Sequence, residues 1–503
     1  MRESDTPQLT PSEHVDIDLL IAHGVVVTVD SERRVLPDGA VAIRGDRIVA
    51  VGSHAELAGR FRPRDTIDAS RMVVLPGLID THGHGALNMI KTVGEDLGGA
   101  DWRIMADHLL FHCTTEDWWY ADGLLTSLER LKFGTTTGMS VLGSSPRTDR
   151  PIFGARHAEG VSRVGTRSII GAGFPRPPWP QTFSDWENGR RIERSVSLEE
   201  VLTATRELIR QWHGGAGGRI HVWASASRFL APSPYDPMFK PEQLEYATTQ
   251  ARLMRRLADD FGVGIHTHAF GGAVRFAHET LNVLGPDVCL AHCQGIDDEE
   301  LRILRDSGTS VAYCPSARRV YSYPAHCPVS ELIDAGVVTA VATDGTAPDR
   351  TFDLFKEMRM AMSLERLRFT DPWRLPPGKA LEMVTIDAAR AIGLDRDIGS
   401  LEAGKKADVI LVNLRAPHLV PNVMPVHRIV HEATGHDVDT VVVDGTVLMQ
   451  GRRVLSVDED ATLDFAEEQA RLAYERAGVE RLMELPENFW GSSRYAARSY
   501  RVP

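Results

Sequence analysis

The stretch Val73-Val74-Leu75-Pro76-Gly77-Leu78-Ile79-Asp80-Thr81-His82-Gly83-His84 decides how this chain is read. It opens as an apolar run punctuated by proline and glycine, the pattern of a short buried strand. It ends in two histidines with one glycine between them. Residues two apart on a strand share a face, so His82 and His84 reach the same side. Neutral imidazole is the commonest nitrogen ligand for zinc and related ions, and two imidazoles so placed can meet one ion. Two buried, hydrogen-bonded histidines would carry the same spacing, so the remainder of the chain has to supply partners.

On the C-terminal side, apolar strands alternate with amphipathic helices. Strands are predicted at 133–142, 166–173, 219–226, 262–268, 287–292, 310–314 and 337–344, with helices over 116–132, near 197–213 and over 241–260. The last of these helices sets Leu244, Ala247, Ala251, Met254 and Leu257 on one stripe, the spacing of a face packed on a core. A long Pro/Trp-rich loop is expected at 174–190. Counting the histidine strand, eight strands alternate with helices, which predicts an α/β fold, a (β/α)8 TIM barrel over 73–395. On the N-terminal side, 16–72 reads as β, with Arg44-Gly45-Asp46 as a tight turn. The chain returns to β over 396–455, and these strands are expected to complete a small β-sandwich built from both chain ends. Residues 1–15 read as loosely ordered, and 456–503 as a helical tail ending in Phe489, Trp490, Tyr495 and Tyr500.

A barrel brings its strand ends around one axis, so residues far apart in sequence converge there. The ends hold His82 and His84, His266 and His268, His292, and Asp344. Imidazoles with a carboxylate suit zinc, iron, cobalt or nickel better than magnesium or calcium. A divalent ion with an open position lowers the pKa of a bound water toward about 7. A neighbouring carboxylate can then move the proton. The alternatives for Asp344 and His292 are a turn aspartate and a satisfied core histidine. Met89, Phe229 and Tyr313 follow or sit at strand ends and are candidate pocket walls. His108, His112, His278 and His326 read as structural or pocket-lining, and Trp118-Trp119-Tyr120 as helix packing.

Composition narrows the function classes. In 503 residues, 43% hydrophobic and 25% charged is ordinary for a globular protein, and a net charge of −13 argues against nucleic acid or anionic lipid as partner. No apolar run approaches the ~20 residues of a membrane span. The five cysteines form no Cys-x-x-Cys pair, which reads as reduced thiols and a cytoplasmic setting.

Together, Pro76-Gly-Leu-Ile-Asp-Thr-His-Gly-His84, Ala291-His-Cys, Thr343-Asp-Gly and Gly399-Ser-Leu-Glu-Ala-Gly-Lys-Lys-Ala-Asp resemble the amidohydrolase superfamily, in particular its triazine hydrolase and cytosine/guanine deaminase-like branch. The resemblance covers about residues 17–455. It implies His82, His84 and His268 as ligands of one divalent metal ion, Zn2+ before Fe2+, Co2+ or Ni2+. It implies Asp344 as ligand and general base, and His292 as the group that orients water or substrate. The chain also departs from the pattern. The family's His-x-His-x-x-Glu would put a glutamate at Gly271, which leaves His266 as a candidate proton carrier and ordinary purine or pyrimidine deamination in question. Strand four, 219–226, lacks a lysine for a two-metal site. Pro315-Ser-Ala-Arg318 stands where Pro-Ser-x-Asn is usual, and Pro348-Asp-Arg350 where relatives carry Ser and Asn. The expected function is metal-assisted hydrolysis of an amide-like or heterocyclic C–N bond of a small molecule. The alternatives are an aminohydrolase or a dechlorinating or thiol-releasing hydrolase of a nitrogen heterocycle, and, from another class, a metal-binding barrel without turnover. A homo-oligomer, dimer or tetramer, is expected from the aromatic tail.

Overall fold

The computed structural model describes residues 14–143, 147–228, 243–317, 325–494 and 496–502. Phe229, Arg318, Tyr495 and nearly all of the expected loose N-terminus lie outside the described residues.

The alternation of apolar strand and amphipathic helix closes into a parallel barrel. Leu78–Asp80 pairs with Thr135–Val141, followed in order by Arg167–Phe174, Ile220–Ala226, Ile265–Phe270, Val288–Gln294, Ser310–Tyr313 and Thr339–Val341. The eighth strand runs on to Asp344–Gly345, which pairs with Gly83–His84 of the first and shuts the ring. That closure sets Asp344 opposite Gly83 and Gly345 opposite His84. The strands are buried on both faces, which is why they read as apolar runs and not as alternating ones.

Local signals fix the helices. Thr115 accepts a hydrogen bond from the amide of Trp118 at the start of Glu116–Lys132. Ser197 with Glu200, and Asp297 with Glu300, form capping boxes. Leu244–Phe261 buries Ala247, Ala251, Met254 and Leu257, the stripe its spacing predicts, and Gly262 ends it in the left-handed conformation. Trp118 and Trp119 are wholly buried.

Both chain ends build one further sheet, in the order Arg453–Val454, Thr446–Gln450, Val438–Val443, Val409–Asn413, Met72–Pro76, Val15–Val27, Val35–Arg44, Arg47–Ser53, with Phe61–Asp68 also pairing Val15–Val27. The run 73–84, read as one barrel strand, is therefore two. Met72–Pro76 pairs antiparallel with Val409–Asn413, and only from Leu78 does the chain join the barrel. Gly77 is the switch: its amide bonds the carbonyl of Asp408, while that of Leu78 bonds the carbonyl of Gly134. A Cβ at Gly77 would stand 2.1 Å from Thr136 Oγ1, so only glycine fits this crossing.

A second difference lies in the expected loop at 174–190. Gln181–Glu187 and Arg190–Val196 form an antiparallel hairpin. It is held by Phe183, by Arg194 bridging Asp185 and Asp149 at 2.9 and 2.6 Å, and by the buried Arg147 donating to the carbonyl of Ser184. The helix Glu459–Ala477 buries Ala466, Ala473 and Ala477. Beyond it Arg498 pairs with Asp96 and the amide of Tyr500 donates to Asp101, so this part of the tail lies on the barrel. No described helix is long and apolar enough to cross a membrane. All five cysteines are buried and unpaired.

Candidate metal centre

Strands one, five, six and eight deliver the site from their C-terminal ends. His84 Nε2 lies 3.2 Å from His268 Nε2, and Asp344 Oδ1 lies 3.4 Å from His82 Nε2 and 3.3 Å from His84 Nε2. The far side of each imidazole is already committed. His84 Nδ1 is 2.6 Å from the carbonyl oxygen of Gly143, and His268 Nδ1 is 2.6 Å from that of Ser227. A carbonyl only accepts, so both rings carry their proton on Nδ1 and turn an Nε2 lone pair inward. His82 Nδ1 is 2.7 Å from His266 Nε2, and its own Nε2 is buried without a hydrogen-bond partner.

The lone pairs of His84 and His268 and a carboxylate oxygen of Asp344 thus face one another, with His82 Nε2 beside them. Without a cation such an arrangement is repulsive. Four ligands held tetrahedrally at about 2.05 Å would stand about 3.3 Å apart. The 3.2–3.4 Å separations fit that spacing. His82, His84 and Asp344 form one group that could hold a divalent ion, and His82, His268 and His292 form a second that shares His82; the 3.2 Å approach of His268 Nε2 to His84 Nε2 links the two.

Protonation states agree. Burial pushes His82 below the ordinary imidazole range, and burial with the neighbouring imidazoles pushes His266 and His268 well below it. Burial works to raise the Asp344 carboxyl, but the group is held well below the usual carboxylate range, the Arg350 guanidinium being the largest of the opposing influences. Arg350 Nη2 stands 3.6 Å from Asp344 Oδ2. Neutral rings and an ionised carboxylate are the states a cation requires.

Two site residues sit in the left-handed region, Asp344 at φ 63° and His292 at φ 74°, followed by Cys293 at 47°. At His292 the pairing with strand five slips, so that Ala269 faces His292 while Phe270 faces Gln294. The slip brings the His292 ring 5.3 Å from both His82 and His268, with Phe270 stacked on it at 5.7 Å. Strained backbone of this kind persists where surrounding contacts over-determine it, often at functional sites.

Met89 and Tyr313 are 3% and 5% exposed and belong to the main apolar core, and the carbonyl of Met89 accepts from the Tyr474 hydroxyl. His112 bonds Ser184, His108 faces Cys113, and His326 bonds Arg368. Ser227 and Gly143 act through backbone carbonyls, which leave no trace in side-chain identity, and the charge of Arg350 reaches Asp344 only in the folded chain.

The model of the amidohydrolase family matches residues 73–448. The chain belongs to the amidohydrolase family. It is a metal-dependent hydrolase of carbon–nitrogen bonds other than peptide bonds. It is 33% identical over 448 residues to a 5-methylthioadenosine/S-adenosylhomocysteine deaminase of Desulforudis audaxviator, covering 86% of this chain and 94% of that one. It is 29% identical over 471 residues to a 5'-deoxyadenosine deaminase of Methanosarcina mazei, covering 90% and 98%. Among solved structures it resembles a zinc-bound adenosine deaminase from Xanthomonas campestris, with TM-score 0.78, 23% identity, and 92% and 100% of the chains covered. It also resembles an atrazine chlorohydrolase from Arthrobacter aurescens complexed with zinc, with TM-score 0.69, 21% identity, and 90% and 100% covered. Within this amidohydrolase, Gly271 follows strand five and its amide bonds the carbonyl of Gln294.

Proposed function

We propose that this amidohydrolase holds one zinc ion between His82, His84, His268 and Asp344 and hydrolyses the exocyclic C–N bond of an aminated nitrogen heterocycle, releasing ammonia. The observation that carries the reading is the inward convergence of three Nε2 atoms and one Oδ1 at 3.2–3.4 Å, with the outer nitrogens of His84 and His268 tied to backbone carbonyls. A divalent ion there makes a water nucleophilic at neutral pH. Asp344 takes the proton of the attacking water and returns it to the departing nitrogen. His292, beside His82 and His268, holds the oxygen that develops charge at the attacked carbon. His266 is given a different role from proton carrier: its Nε2 stands 2.7 Å from His82 Nδ1, and a hydrogen bond donated there by His82 turns the His82 lone pair inward.

The substrate class follows from the relatives. Two are named for deaminating 5-methylthioadenosine, S-adenosylhomocysteine or 5'-deoxyadenosine, so adenosine-type compounds altered at the 5' position are the first to try. The test is zinc-reconstituted protein assayed for ammonia against these compounds, then aminated pyrimidines and triazines, with Asp344→Asn beside it. Turnover that collapses in the variant is expected. Zinc-loaded protein that releases ammonia from none of these classes would overturn the deaminase reading. Gly271 favours a second reading, loss of thiolate or chloride from the same ring carbon, because such groups leave without the ring-nitrogen proton that a glutamate would shuttle. Release of thiol or chloride in the same screen decides between them. A homo-oligomer is supported by Trp490, 78% exposed on the tail, and a monomer mass by light scattering would remove it.

A further inference from the structure

Directly beneath the inward-facing atoms lies a buried polar network that no step of the proposed reaction uses. Asp80 and Arg130 are 1% and 3% exposed. Asp80 Oδ2 accepts from Arg130 Nη2 at 3.0 Å and from the Thr343 hydroxyl at 2.8 Å, while Oδ1 accepts from the Thr343 amide at 3.1 Å. Arg130 comes from the helix Glu116–Lys132 and spends its remaining reach on strand two, donating to Ser140 Oγ at 2.9 Å and to the carbonyl of Met139 at 2.5 Å. Its flat face lies 4.3 Å from the centre of the Phe352 ring. Two glycines make room for it: a Cβ at Gly83 would stand 2.4 Å from Nη2, and one at Gly138 would stand 2.6 Å from the guanidinium carbon.

The placement gives the network its meaning. Asp80 precedes His82 by two residues, Thr343 immediately precedes Asp344, and Gly83 separates the two strand-one histidines. A second buried pair fixes the other side of His84. The carbonyl of Gly85 accepts from Thr126, which also bonds Asp122, and Asp122 holds His157 Nδ1 at 2.7 Å. The first and eighth strands meet at the seam where the barrel closes, and among the described residues their ladder there has two pairs, Asp344 with Gly83 and Gly345 with His84. Two rungs are a weak hinge for a site whose donors must keep a 3.2–3.4 Å spacing.

We infer that Asp80 and Arg130 are positioning residues: through Thr343 and strand two they lock the closing seam, so that Asp344 is held at the ion-binding distance from His82 and His84. The inference rests on the reading of these residues as ligands. Loss of an outer partner of a ligand in other metal sites weakens metal binding about 10–100-fold, and the same range is expected here.

The test uses the full chain, stripped of metal, with three variants. Thr343→Val removes the hydroxyl and keeps the shape, Thr343→Ser restores the hydroxyl, and Arg130→Lys keeps the charge but not the bridge to Ser140 and Met139. For each, zinc affinity is measured by chelator competition and apo stability by thermal melting. Thr343→Val and Arg130→Lys are expected to bind zinc at least tenfold more weakly, with Thr343→Ser close to the parent. The apo melting temperature of Thr343→Val is expected to stay near that of the parent. If Thr343→Val and Arg130→Lys bind zinc as the parent does, or if Thr343→Val loses affinity only in proportion to a loss of apo stability shared by Thr343→Ser, the positioning role falls. If the parent itself binds no zinc, it is the ligand reading that fails, and the two failures are told apart by the parent alone.

Discussion

Glu357 offers a quantitative test of how dry the face of the barrel beside the site is. It lies in the first turn of the helix Leu354–Phe369 and is 4% exposed. Its carboxyl contacts the amide and hydroxyl of Ser316 at 3.2 and 2.5 Å. Burial pushes the carboxyl from 4.5 up to about 8, against the Ser316 hydrogen bonds and the charge of Arg350, which act the other way. A raised carboxyl pKa makes stability fall with pH. Below about 4.5 the folded and unfolded chains both keep this proton. Between there and about 8 only the folded chain does, so each pH unit favours unfolding, and above about 8 the loss is complete. A shift of about 3.5 pH units at about 1.4 kcal/mol each sets a ceiling of roughly 5 kcal/mol. With an unfolding entropy of about 2 cal/mol/K per residue over roughly 400 cooperative residues, that is about 6 °C in melting temperature. Glu357→Gln keeps the shape and cannot titrate. Melting the parent and the variant side by side at pH 5.5, 6.5, 7.5 and 8.5 cancels every other ionisable group. The parent should lose ground to the variant by several degrees across the series. Parallel curves would mean that Glu357 is ionised in the folded protein and that water reaches it.

Four further outcomes follow from the same geometry. Asp344→Asn should lower kcat at least 100-fold while leaving the melting temperature of the apo protein within a few degrees; unchanged turnover would remove Asp344 from the chemistry. One equivalent of zinc should raise the melting temperature of apo protein, and the gain should vanish in His82→Ala, whose orphaned Nε2 is lost; a gain that survives would place the ion elsewhere. Because His82, His266 and His268 all titrate below the ordinary imidazole range, zinc affinity should hold nearly level from pH 7.5 down to about 6.5, and a steep loss over that window by chelator competition would show rings that protonate like free histidine. Arg147→Met should cost about 3–5 kcal/mol in urea unfolding. It strips the buried Asp149 of a guanidinium at 3.1 Å and the carbonyls of Leu110 and Ser184 of their donors at 2.6 and 2.9 Å. A loss under 1 kcal/mol would show that water enters to replace it.

The barrel was legible because its strands are buried on both faces, and the run 288–291 has no strongly polar member to blur it before His292. The ligand candidates were legible because strand ends in a closed barrel have one place to converge. What could not be read was whatever depends on a partner far away in the chain. Met72–Pro76 and Leu78–Asp80 look alike, and only pairing with Val409–Asn413 or Thr135–Val141 divides them. The strand Arg190–Val196 carries charge at most positions and owes its order to ion pairs across the hairpin and to Asp149. Asp80 stands inside the deciding motif with nothing local to mark its role, since its partners are 50 and 263 positions away. The same distance explains why His266 and His268, equivalent by spacing on one strand face, separate in space. His268 Nδ1 faces the Ser227 carbonyl, which frees its Nε2 for the centre, whereas His266 spends its Nε2 on His82. Residue type and period therefore identify which groups can reach an ion, and the acceptors standing behind each ring decide which of them turns a lone pair toward it.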